Sequence, residues 1–170
     1  MNQMDNHNHH ILSQSQFEGT TQSLRNLAQK LSVHAILLID GGGRIMAHTL
    51  LEELNADVHT LGALTASHFA ASRELAIRIG ETHPFQMVLY EGARQNVFMT
   101  GVTSNIYLVV VFPKETTIGM VRLFTRRTAG ELSDILEKSV DEEISIESMI
   151  DQQFEEMLGN ALNEKFREHF

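Results

Sequence analysis

The chain has 170 residues, 42% hydrophobic and 21% charged, with no cysteine. That length and composition suit one globular domain and exclude disulfide frameworks, thiolate metal centres and cysteine nucleophiles. The formal charge of −9 is concentrated at one end, where residues 141–170 hold nine carboxylates against Lys165 and Arg167, leaving −2 for the rest. A nearly neutral body has no electrostatic footprint for nucleic acid, and no apolar run approaches the roughly 18 residues of a membrane span. With neither a span nor a signal-peptide pattern, a cytoplasmic location is expected.

Residues 1–16 are rich in Asn, His, Gln and Ser and read as a flexible polar arm, because little burial would offset the entropy of ordering it. His7, His9 and His10 lie in that arm and are read as solvated side chains, not a metal site, since no fixed geometry holds them. Phe17, Leu24, Leu27, Ala28 and Leu31 recur at helical spacing and predict a first helix ending near residue 31. The run HAILLI over 34–39 has the length of a buried strand, and Asp40-Gly41-Gly42-Gly43 supplies a tight turn from which 44–48 return antiparallel. No Gly-Lys-Ser/Thr follows the glycines and no helix opens behind them, so a hairpin turn is expected there in place of a phosphate loop.

Residues 57–80 form a long helical pattern that ends on Gly80 and carries two stripes. Leu61, Leu64, His68, Leu75 and Ile79 are expected to face a sheet. Gly62, Ala63, Ala66, Phe69, Ala70, Arg73 and Ile77 form a second band, dominated by small residues, where another subunit or partner can approach closely. His68 is read as a core or boundary histidine with no chemistry of its own.

Three strands follow over 85–91, 96–102 and 106–112, joined by connections short enough for hairpins. The most apolar, IYLVVVF, belongs at the centre of the sheet. The strand carrying Phe85, Gln86, Met87, Val88, Leu89 and Tyr90 is expected to be an edge, completed by its twin from a second subunit. Proline at Gln86 or Val88 tests that pairing if the replaced amide faces the twin. Ile118, Val121, Leu132, Ile135 and Leu136 predict a third helix over 117–136, although VRLF within it would also suit a strand.

Helix, two strands, helix, three strands, helix implies an α/β (α+β) domain over 17–140, with a five-stranded antiparallel sheet sandwiched between helices. In the acidic segment 141–170, Ile146, Met149, Ile150, Phe154, Met157, Leu158, Leu162, Phe166 and Phe170 recur every three or four residues, the pattern of an amphipathic helix behind a linker. It either folds back on the domain or docks on another protein; as surplus to the core it is expected to bind a partner through Phe154, Leu158, Leu162 and Phe166. No triad, metal-ligand cluster or nucleotide loop is seen, so neither an active site nor a cofactor or metal is expected.

ILLIDGGGRIMAH over 36–48, LTASHFAASRELAIRIGE over 64–81 and YEGARQNVFM over 90–99 resemble the Roadblock/dynein light chain family, and within it the bacterial MglB type. LVVVFPKETTIGMVRL over 108–123 and AGELSDIL over 129–136 extend the resemblance across 17–136. It implies a homodimer that joins the third strands and second helices of two subunits. It further implies a platform on those helices for a small Ras-like GTPase of the MglA type. Proteins of this kind stimulate GTP hydrolysis by holding the GTPase in its catalytic arrangement, without inserting an arginine, and set front-rear polarity in motile bacteria. Ala63, Ala66, Phe69, Ala70, Arg73, Glu74 and Ile77 would then contact the GTPase. Where relatives often carry a Gly-Asn pair and further small residues, this chain has Ser67-His68 and Arg73-Glu74, bulkier groups that would either change which GTPase is recognised or abolish GTPase binding. The alternative is a Roadblock scaffold that dimerises and links other proteins without altering nucleotide turnover.

Overall fold

Ser13 starts the first helix. In the computed structural model, which describes residues 12–50 and 57–137, its hydroxyl accepts from the Gln16 amide at 3.2 Å while the Gln16 side-chain oxygen accepts from the Ser13 amide at 2.9 Å. This reciprocal cap satisfies two backbone donors that a helix end otherwise leaves unpaired. Helix α1 therefore spans Gln14–Lys30, beginning inside the stretch read from sequence as a polar arm to residue 16. Leu24, Leu27 and Leu31 are buried as the spacing predicts, but Phe17 is 50% exposed, and Gln16 and Thr20 take the inward positions of the first turns.

Strands β1 (Ala35–Asp40) and β2 (Ile45–Leu50) form the first hairpin. Asp40 Oδ1 closes its turn by accepting from the Gly42 and Arg44 amides at 3.0 and 2.9 Å. Of the glycine triplet only Gly43 has a positive φ, +85°. A side chain there would meet the Ala63 Cα at 2.8 Å, and one on Gly62 would collide with the Gly43 carbonyl oxygen. The two glycines thus let the hairpin rest directly on helix α2 (Val58–Arg78). Gly62→Ala is expected to cost about 1–3 kcal/mol by overpacking and to lower the melting temperature by several degrees. An unchanged melting curve would mean that the hairpin lifts freely off the helix.

Asp57 caps α2. Its carboxylate accepts from the Thr60 hydroxyl at 2.6 Å and from the His59 and Thr60 amides at 3.0 and 3.4 Å. These bonds favour the charged form, the Thr60 hydroxyl most of all, and hold the Asp57 pKa below its ordinary value. The cap's contribution is therefore complete above the ordinary aspartate range and lost as pH falls through the lowered value. Asp57→Asn, which keeps an acceptor, is expected to flatten this part of the acid limb of a stability-versus-pH profile; an identical limb would contradict the assignment.

Strands β3 (Met87–Glu91), β4 (Gln95–Gly101) and β5 (Ile106–Pro113) complete an antiparallel sheet of order β2-β1-β5-β4-β3. The most apolar strand, β5, is central, as its composition predicts. Residues 118–137 are helical (α3), so the VRLF stretch belongs to a helix. On one sheet face, Leu37, Ile39, Met99, Val109 and Val111 form a core with Phe69 of α2, whose ring stacks on Tyr107 at 3.9 Å and 12°. On the opposite face Ile36, Leu38, Leu108, Val110 and Phe112 are fully buried. That face belongs to α1 and α3, which meet where Gly19 lies under Ile135. By internal contacts the chain divides into Met1–Ile135 and Leu136–Phe170, and the acidic segment 141–170 lies outside the described residues.

The inward face of α2 is not the predicted one. Gly62, Thr65, Phe69, Ser72 and Ala76 are buried, whereas Leu64, Leu75 and Ile79, expected to face the sheet, are exposed. The reason is steric and polar together. Glycine is required beneath the hairpin, small residues let the helix lie close to the sheet, and the Thr65 hydroxyl donates to the Leu61 carbonyl at 2.8 Å, so it enters the core satisfied.

Candidate functional site

The exposed edge of the sheet and the outer surface of α2 come from two chain segments, β3 and α2. Among the described residues strand β3 pairs only with β4, and no strand lies on its other side. Which amides point outward follows from the register. Gly92 donates to the Gln95 carbonyl at 3.1 Å and Gly101 to the Gln86 carbonyl at 3.0 Å. Because antiparallel strands alternate hydrogen-bonded and non-bonded pairs, residues 86, 88, 90 and 92 bond into β4, and Met87, Leu89 and Glu91 direct their backbone groups outward. Two expectations change accordingly. Phe85 and Gln86 precede the strand instead of belonging to it, and Gln86, through its carbonyl, and Val88 pair inward with β4, so proline at either position does not probe the free edge.

Beside this edge lies an apolar flank of α2. Leu64 is 61% exposed, Leu75 55% and Ile79 59%. His68 joins the flank to β3: its Nδ1 lies 2.5 Å from the Tyr90 hydroxyl, and the two rings meet edge to face at 5.2 Å. His68 is thus a half-buried boundary histidine with a local partner. Apolar side chains of this size on a helix, next to an unpaired strand, form a patch of the kind that marks a protein contact.

The second band of α2 is divided by the fold. Ala63, Ala70, Arg73, Glu74 and Ile77 are exposed and Ala66 is half-buried, but Phe69 is a core residue, 5% exposed and held in the stack with Tyr107. Glu74 accepts from Arg78 Nε at 2.6 Å on the outer surface. Arg73 instead borders a cavity toward the β4–β5 turn. Met87, Val88 and Leu89 are half-buried and Tyr90 exposed on β3. Phe154, Leu158, Leu162 and Phe166 lie outside the described residues. The leucine flank and the Tyr90–His68 contact escaped sequence reasoning; the signal available was Tyr90 in an edge strand opposite a helix with apolar residues beyond one stripe. Among the described residues no group of three or more His, Cys, Asp or Glu is placed to hold a metal ion, and no helix is long and apolar enough to cross a membrane.

Residues 20–112 match the family model of the Roadblock/LC7 domain. The chain is similar to the structure of MglB from Myxococcus xanthus, with 30% identity, a TM-score of 0.70 and coverage of 75% of this chain and 95% of that one. It is also similar to the gliding protein MglB of Thermus thermophilus, at 27% identity and a TM-score of 0.70, covering 75% and 96%. A protein of Aquifex aeolicus, described as uncharacterized, is 22% identical over 130 residues, 74% of this chain and 80% of its own length.

Proposed function

From the premise that this chain belongs to the Roadblock family, its MglB type, we propose that it is a homodimeric regulator of a small Ras-like GTPase, stimulating GTP hydrolysis without an active site of its own. The observation that carries the proposal is the placement of the bare β3 edge and the apolar α2 flank side by side on an MglB-like fold. Two copies meeting there would continue one sheet across the dimer axis through Met87, Leu89 and Glu91. Leu64, Leu75 and Ile79 would be removed from water, each contributing roughly 1.5–3 kcal/mol if fully buried. The paired α2 helices would then present Ala63, Ala66, Ala70, Arg73, Glu74 and Ile77 around a platform for the GTPase.

The platform works by positioning. Small side chains admit the GTPase backbone closely, and the pair Glu74–Arg78 supplies polar contacts at the surface. Arg73 borders a cavity, an arrangement that accords with regulation without a donated arginine. We place the protein in the cytoplasm, in cell polarity or motility, by its kinship to MglB.

The apolar stripe of the acidic segment, with Phe154, Leu158, Leu162 and Phe166, would add a second contact to the GTPase. Deleting residues 145–170 is expected to leave the dimer folded while weakening complex formation with the GTPase about tenfold or more, read by sedimentation of the complex. A truncated chain that melts many degrees lower, yet binds fully once folded, would show that the segment serves its own domain.

The test of the proposal is co-sedimentation with the small GTPase encoded nearest this gene, loaded with a non-hydrolysable GTP analogue or with GDP. A complex of two copies of this chain with the GTP-form is expected; no complex with either form would refute it. The charged crest around Glu74 and Arg78 favours a second reading, a scaffold that links partners. That reading gives a complex with unchanged hydrolysis.

A further inference from the structure

Arg73, on the band of α2 that borders the proposed platform, also lines a cavity of about 690 Å³, within the size range of small-molecule sites. It lies between α2, the connection into β3 and the β4–β5 turn. Its floor is the stacked pair Phe69 and Tyr107, and Phe85, 36% exposed, adds apolar surface at the side. Its polar lining comes from Arg73, His83, Gln86, Thr103, Ser104 and Asn105.

Two features give the cavity a chemical preference. No residue that lines it is acidic, in a chain whose formal charge is −9. Arg73 engages no carboxylate among the described residues, whereas Arg44, Arg78 and Arg127 each hold one at 3.3 Å or less. A guanidinium left without a counter-charge beside an apolar floor is matched by an anion on an apolar body.

The cavity is also built before any ligand arrives. The Gln86 carbonyl accepts from the Gly101 amide at 3.0 Å and the Thr100 hydroxyl at 3.1 Å. Across the turn, Val102 donates to the Ile106 carbonyl and Gly41 to the Asn105 carbonyl, both at 2.8 Å. Binding therefore orders little backbone, which lowers its entropic cost.

We propose that this cavity binds a small organic anion, whose carboxylate or phosphate meets Arg73 and whose apolar body lies against Phe69, Tyr107 and Phe85. Since Phe85 and Gln86 run directly into β3 and Arg73 belongs to α2, such a ligand bridges the helix to the edge strand.

The test is titration of the full-length chain, followed by amide NMR, with phenylacetate, phenyl phosphate and the neutral 2-phenylethanol. Saturable shifts at Gln86, Ser104 and Asn105 are expected with either anion, with dissociation constants of about 0.1–5 mM, and at least tenfold weaker binding of the alcohol. Tighter binding of phenylacetate would identify a carboxylate ligand, and of phenyl phosphate a phosphate. Arg73→Ala, at an exposed position, is expected to weaken both anions at least tenfold and Arg73→Lys less, while Arg122→Ala on α3 leaves them unchanged. Equal affinity for the alcohol, an unaltered affinity in Arg73→Ala, or no saturation with any probe by about 10 mM would overturn the proposal.

Discussion

Leu89→Pro is expected to convert the proposed dimer to a monomer at concentrations where the parent chain sediments as a dimer. Leu89 is the middle of the three β3 residues whose backbone groups point away from β4. Proline there removes an outward N–H without touching a bond inside the protomer, and its ring obstructs an approaching strand. In a two-fold interface each loss occurs twice. Two hydrogen bonds at about 0.5–1.5 kcal/mol each, together with the obstruction, weaken association at least tenfold. Sedimentation velocity across a dilution series reads this directly. Val88→Pro is the matched comparison: its amide bonds into β4, so it is expected to destabilise the protomer itself. If Leu89→Pro remained dimeric, the β3 edge would not be the interface, and the leucine flank of α2 would have to find another cover.

Ala70→Trp is expected to abolish stimulation of the GTPase while leaving fold and dimer intact. Ala70 is exposed on α2, on the band of small residues opposite the leucine flank. A Trp side chain at this position holds the GTPase several ångströms from the platform, and a misplacement of even 1 Å in a positioning site costs on the order of 100-fold in rate. Arg73→Ala separates this mechanism from arginine donation. Loss of a donated arginine costs about 10³–10⁵ in rate, whereas a positioning platform loses only a few-fold, mainly in binding. Single-turnover rates with saturating protein distinguish the two, because saturation removes the binding component. A thousandfold loss in saturated Arg73→Ala would mean that this arginine reaches the nucleotide.

The fold was legible where local chemistry and tertiary packing agree. The run over 34–39, the Asp-Gly turn and the apolar run that becomes β5 sit where their periodicity places them, because strands buried on both faces need unbroken apolar sequence. The edge position of β3 was likewise legible, from an alternating strand beside a helix rich in small residues. Helix α2 was legible as a helix but not in its rotation. Leu64 and Leu75 look inward by hydropathy, yet Gly62, Thr65, Phe69, Ser72 and Ala76 take the sheet side, and at Gly62 the hairpin backbone approaches too closely for any side chain. That closeness is a property of two segments some twenty residues apart, absent from any window of the helix alone. The same rotation buries Phe69 in the core and places the leucines beside β3. The start of α1 was missed for a smaller reason: Ser13 and Gln16 read as polar tail until their reciprocal bonds are seen to form a cap. The direction of each β3 amide depends on register with β4, which strand boundaries alone do not specify.

The central claim, that this chain regulates a GTPase, is tested most directly by single-turnover GTP hydrolysis. The small GTPase encoded nearest this gene is loaded with GTP, and phosphate release is followed with and without saturating protein. Hydrolysis accelerated at least tenfold by the parent chain, and not by Ala70→Trp, is the expected result. An unchanged rate in the presence of a demonstrated complex would contradict it and establish the scaffold instead.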